Sequence, residues 1–144
     1  MMFKDLTFRE KSALVHITAL GLLLAFTLAQ IWPFFSGYEE SILVVKPFWV
    51  ALVIFILIEI IGHSIVAARN KREANAEGDE RERLIVLKSN YYSSHLFGFC
   101  LIGYLSISML FQIPFLNIYF VFIIFVVAEI VNYSSQLILF RRGV

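Results

Sequence analysis

The chain is short of charge. Lys and Arg number 12, Asp and Glu 11, together 16% of 144 residues, against roughly 25% in soluble domains. A water-facing surface is made from charged groups, so this deficit excludes a soluble fold that buries the remaining residues. Cysteine is nearly absent. The single Cys100 excludes an internal disulfide and a Cys-x-x-Cys site, and reads as an inert thiol in an apolar run. The chain also lacks a P-loop, a G-x-S-x-G elbow, an H-E-x-x-H pair and a glycine-rich phosphate loop, so no hydrolytic or nucleophilic constellation is expected. The expectation is therefore a non-enzymatic protein with no cofactor. Net charge is +1, and no basic patch with interleaved aromatics occurs outside the apolar segments, so nucleic acid is not an expected partner.

Apolar length is what the chain has in plenty. Hydrophobic residues make up 60%, 15 of them Phe, and mean hydropathy is +0.81. A helix crosses the bilayer core with ~20 apolar residues. Four segments qualify: about Ser12 to Trp32, Phe48 to Ala68, Ser89 to Phe111 and Phe115 to Phe140. The expected fold class is an all-α membrane protein, a four-transmembrane-helix bundle forming one domain, with the lipid bilayer as its solvent. The first span lacks an A-x-A cleavage site and reads as a retained helix.

Basic residues fix the expected orientation. Lys4, Arg9, Lys11, Arg69, Lys71, Arg72, Arg81, Arg83, Lys88, Arg141 and Arg142 all fall on one side of this four-span arrangement, and only Lys46 on the other. The positive-inside rule places the first group, with both termini, in the cytoplasm. Trp32 and Trp49 mark the opposite interface, where an apolar ring with a polar N–H is best placed.

Two hairpins resemble one another, at residues 7–68 and 79–142, joined by a cytoplasmic loop at 69–78. Each opens with a capping oxygen and a glutamate three residues on, Thr7 with Glu10 and Asp79 with Glu82, the pattern of a capping box. Each second helix carries a matched stretch, Glu59-Ile60-Ile61-Gly62-His63-Ser64 and Glu129-Ile130-Val131-Asn132-Tyr133-Ser134. A duplication would make this a parallel internal repeat about an axis along the membrane normal; independent obedience to the same capping and charge rules would give the same pattern.

The candidate site is a polar layer inside the membrane. A charge at mid-bilayer costs ~2.5–3.5 kcal/mol on insertion scales, so such residues face the bundle interior and find partners. At ~1.5 Å per residue, Glu59 lies ~15 Å inward of Arg69, Glu129 ~18 Å inward of Arg141, and His95 ~18 Å inward of Arg83. These three are expected at one level. His63 stands one turn from Glu59, and Tyr133 one turn from Glu129. Asn132 and Ser93 add hydrogen-bonding capacity, and His16 and Lys88 lie nearer the cytoplasmic end. Three chemistries suit the layer: paired polar glue that sets helix register, a proton or cation site, or a metal or haem site on His16, His63 and His95. No His-x-x-x-His or Glu-x-x-His pair sits on one helix, so no metal ligands are assigned.

The stretch Asp79-Glu80-Arg81-Glu82-Arg83-Leu84-Ile85, the ending Ser134-Ser135-Gln136-Leu137-Ile138-Leu139-Phe140-Arg141-Arg142-Gly143 and the opening Thr7-Phe8-Arg9-Glu10-Lys11-Ser12-Ala13 resemble small four-helix bacterial membrane proteins of a domain-of-unknown-function family. The resemblance implies a bacterial inner membrane and carries no site residues. Small multidrug exporters share the span number, but their membrane glutamate lies in the first helix, where this chain has His16. The leading functional expectation is an accessory or regulatory protein acting through contacts with a cytoplasmic or membrane protein partner. The alternative is a small proton- or cation-coupled transporter using Glu59 and Glu129. Four helices enclose little space, so such a transporter is expected to work as a homodimer.

Overall fold

A computed structural model describes residues 6–35, 45–75, 78–111 and 117–142. The order is α1 (Phe8–Phe35), α2 (Val45–Arg69), the one-turn α3 (Lys71–Ala74), α4 (Glu80–Phe111) and α5 (Asn117–Arg142). All but α3 are long and apolar enough to cross a membrane. The protein is an all-helical, multi-pass integral membrane protein. The connections from α1 to α2 and from α4 to α5, with Glu39, Glu40 and Phe115, lie outside the described residues.

The helix starts follow from capping chemistry. At α1, the Thr7 backbone N–H donates to Glu10 Oε2 at 2.8 Å, and the Glu10 N–H donates to Thr7 Oγ1 at 3.3 Å. This reciprocal box satisfies two of the donors that a helix start leaves free. The Phe8 N–H finds Glu73 Oε2 of α3 at 2.8 Å. The second hairpin differs from the expected pattern. Asp79 Oδ1 accepts from the Glu80 N–H at 2.7 Å, while Glu82 Oε2 turns to Arg9 Nε of α1 at 3.2 Å. An arginine on the neighbouring helix is the stronger attractor for a carboxylate than one backbone donor. Pro47 falls in the first turn of α2, where the missing N–H loses no helical bond.

Packing runs in the order α2, α1, α5, α4, with extensive interfaces between successive members. Leu20 and Leu23 of α1, Ala51 of α2 and Val126 of α5 form the buried core, flanked by Phe55, Phe122, Ile130 and Tyr133. Small residues let backbones approach. Ala13, Ala19 and Ala128 are buried, and a Cβ built on Gly62 would lie 2.6 Å from Val15 Cγ1, so α1 and α2 meet there closer than any side chain permits. On α4 the buried stripe is Ile85, Ser89 and Ser93, spaced by four on one face. Ser93 Oγ donates to the Ala128 carbonyl across to α5 at 2.9 Å.

The two hairpins are not packed equivalently. Helix α1 is central, between α2 and α5, whereas its counterpart α4 packs along α5 and meets α1 at the charged end through Arg9 and Glu82. The outer faces stay apolar: Val53, Ile60, Phe99, Ile102, Met109 and Leu110 are exposed. In water this surface would aggregate; in lipid it is the surface expected.

One end of the bundle gathers the polar ties. Arg9 pairs with Glu82, Arg141 Nε approaches Glu10 Oε1 at 3.5 Å, and Lys11 Nζ donates to Asn70 Oδ1 at 3.0 Å. The starts of α1 and α4, the segment around α3 and the end of α5 therefore share one end.

Candidate functional site

Glu59 is the centre of a cluster built by three helices. Its Oε2 lies 2.7 Å from His16 Nδ1 of α1 and 3.0 Å from His63 Nε2, one turn along α2. Two imidazole nitrogens thus converge on one carboxylate oxygen. Ser12 Oγ, one turn before His16, lies 3.1 Å from His63 Nδ1, so both nitrogens of His63 are engaged. Tyr133 of α5 stacks on the His16 ring with centroids 4.0 Å apart and planes 19° apart, and the His63 ring lies 4.3 Å from the other histidine. Glu59 is well shielded, with 15% of its side chain exposed. Its second oxygen, Oε1, is buried and has no hydrogen-bond partner among the described residues.

Local geometry explains the assembly. Residues four apart share a helix face, so α2 presents Glu59 and His63 together, and α1 presents Ser12 and His16 together. The contact of Val15 with Gly62 brings those two faces into hydrogen-bonding range.

Glu129 belongs to a second polar line on α5. Its Oε2 accepts from Asn132 Nδ2 at 3.4 Å, and Asn132 Oδ1 accepts from Gln136 Nε2 at 3.2 Å. Asn132 is buried. Glu129 and Tyr133, four residues apart, share one face of α5. The structure therefore brings together His16, Glu59, His63 and Tyr133, with Glu129 and Asn132 alongside. It leaves His95 and Lys88 apart, both exposed on α4. His95 Nδ1 donates to the Tyr91 carbonyl of its own helix at 2.8 Å, and its ring packs on Tyr91. The expected common level does not bring His95 into the cluster, because its side chain points outward on α4.

Two members were not singled out from sequence, Ser12 and Gln136. The available signal was spacing: Ser12 is four residues before His16, and Gln136 four after Asn132, as His63 is four after Glu59.

A cavity of about 510 Å³ opens among α1, α4 and α5. Arg9, Glu82 and Arg83 line its charged end, and His16, Tyr133 and Gln136 are also in its wall. The cluster therefore adjoins a space that reaches the polar end of the bundle.

Chemically, the arrangement offers two imidazoles and a carboxylate to one point. His16, Glu59 and His63 present ligand atoms that all lie within 4.8 Å of one another. Two histidines and a carboxylate suit a divalent transition metal, and the same groups equally form a closed hydrogen-bonded knot between α1 and α2. Comparison with protein-family models, with curated proteins and with solved structures finds no match to this chain.

Proposed function

We propose that the protein is a non-enzymatic accessory or regulatory protein of a bacterial inner membrane, with both termini in the cytoplasm, acting through contacts with a protein partner at its cytoplasmic end. The observation that carries this reading is the cross-tied polar end. Glu73 accepts from the start of α1, Arg9 pairs with Glu82, and Arg141 approaches Glu10, which gathers the helix ends into one platform. From it α4 presents exposed Arg81 and Arg83 beside exposed Leu84 and Leu87, a mixed charged and apolar face of the kind that protein interfaces use. The excess of basic residues at this end supports the cytoplasmic assignment. The test is a crosslinked pull-down from native membranes. A stoichiometric partner lost on Arg81→Glu/Arg83→Glu, and kept by Glu59→Gln/Glu129→Gln, is the expected result. A partner insensitive to the charge reversal would defeat the reading.

A second reading, a small cation-coupled transporter, is favoured by the cavity that joins the polar end to His16. It predicts cation flux in vesicles holding the purified protein, abolished by Glu59→Gln.

A further inference from the structure

We propose that His16, Glu59 and His63 form a binding site for one divalent transition-metal ion of the zinc class, entered from the polar end of the bundle. The inference stands on the side-chain geometry and does not rest on either functional reading above.

Ligand type comes first. Two imidazole nitrogens and a carboxylate oxygen suit zinc, cobalt(II) and their neighbours, whereas calcium and magnesium take oxygen ligands. Distances come next. Metal–ligand bonds of about 2.0–2.2 Å in a tetrahedral site put ligand atoms ~3.3 Å apart. Glu59 Oε2 is 2.7 Å from His16 Nδ1 and 3.0 Å from His63 Nε2. All three ligand atoms lie within 4.8 Å of one another, so side-chain adjustment on the order of 1 Å brings them to the spacing that an ion requires.

The surroundings carry the features of a metal shell. A ligating histidine uses its other N–H to hold its ring in place, and His63 Nδ1 lies 3.1 Å from Ser12 Oγ. A hydroxyl both donates and accepts, so it serves His63 before and after the metal replaces the proton at Nε2. The buried Glu59 Oε1, unpartnered among the described residues, is a lone-pair donor that bidentate ligation or a metal-bound water would satisfy. Glu59 also supplies negative charge to a dication.

Three protein ligands leave one tetrahedral position open, the mark of an exchangeable site and not of a closed structural one. His16 lines the cavity that opens at Arg9 and Glu82, so water can occupy that position and ions can exchange. The sequence hid this set because its third ligand comes from another helix: α2 gives Glu59 and His63, and α1 gives His16.

The test uses the full chain in detergent, stripped with a chelator and titrated with cobalt(II). The expected result is saturable visible absorption of a four-coordinate nitrogen and oxygen site, one ion per chain, bleached by zinc. His16→Ala and His63→Ala each abolish the absorption. Ser12→Ala keeps the spectrum and weakens affinity about 10–100-fold, as loss of an outer hydrogen bond does. His95→Ala, at an exposed histidine outside the cluster, changes neither. Circular dichroism establishes that each variant is helical, and Glu59→Gln, which keeps the size of the side chain, provides a second ligand deletion should an alanine variant fail to fold. Absence of saturable absorption in the wild type overturns the proposal. So does absorption that survives loss of both histidines or that follows His95.

Discussion

His16 of α1 and Glu59 of α2 meet at 2.7 Å between Nδ1 and Oε2, although 42 residues lie between them in the chain. This contact joins the two helices of the first hairpin inside the apolar region, and the stacked Tyr133 extends it to α5. Polar links in membranes contribute ~0.6–2 kcal/mol each. The cluster therefore sets which faces of α1, α2 and α5 meet more than it sets how tightly they hold.

That reasoning predicts the effect of removing Glu59. Glu59→Leu deletes both histidine contacts and is expected to destabilise the fold by about 1–4 kcal/mol, taking two such links. Glu59→Gln keeps an acceptor oxygen and is expected to lose less. Reversible unfolding in mixed detergent micelles measures both; equal losses would show that the acceptor contributes nothing.

The Val15–Gly62 approach predicts a compensating pair. Gly62→Ala places a methyl 2.6 Å from Val15 Cγ1 and is expected to cost about 1–3 kcal/mol, as overpacking does. Val15→Ala in the same chain should recover much of that loss, because it removes the clashing methyl groups. A double-mutant cycle on unfolding free energies reads the coupling, and additive losses would mean that the helices do not touch here.

The polar end makes a contrasting prediction. Arg9 and Glu82 are 40% and 33% exposed, so solvent screens the pair, and Arg9→Ala is expected to cost about 0–1 kcal/mol and less in high salt. Glu10 is 7% exposed and completes the α1 cap, so Glu10→Ala is expected to cost ~1–2 kcal/mol. The order of the two losses, measured at low and high salt, is the check.

Between α4 and α5 the buried Ser93 donates to the Ala128 carbonyl. Ser93→Ala is expected to cost about 0.6 kcal/mol, the mean for such a link in a membrane, and Ser93→Leu about 1–3 kcal/mol through overpacking of a buried contact. Thermal unfolding followed by helix signal distinguishes the two.

Orientation has its own test. In a Cys100→Ala background, an impermeant thiol reagent applied to intact cells is expected to label Ser41→Cys. It should reach Asn75→Cys only after the membrane is opened. Labelling of Asn75→Cys in intact cells would reverse the topology.

The sequence by itself determined the number of long helices and their approximate extent, because the bilayer demands a fixed apolar length whatever the helices pack against. It also determined the start of α1, because the Thr7–Glu10 box needs only residues three apart. Glu59 with His63 was legible for the same reason. Tertiary structure alone decided which polar residues share a site. His95, expected from helix rise at the level of Glu59, faces outward on α4, Lys88 is exposed, and His16 and Ser12 complete the cluster. In water an apolar stripe marks the buried face of a helix. In lipid the outward face is as apolar as the inward one, so the pattern gives depth and leaves direction to the packing of α1 between α2 and α5.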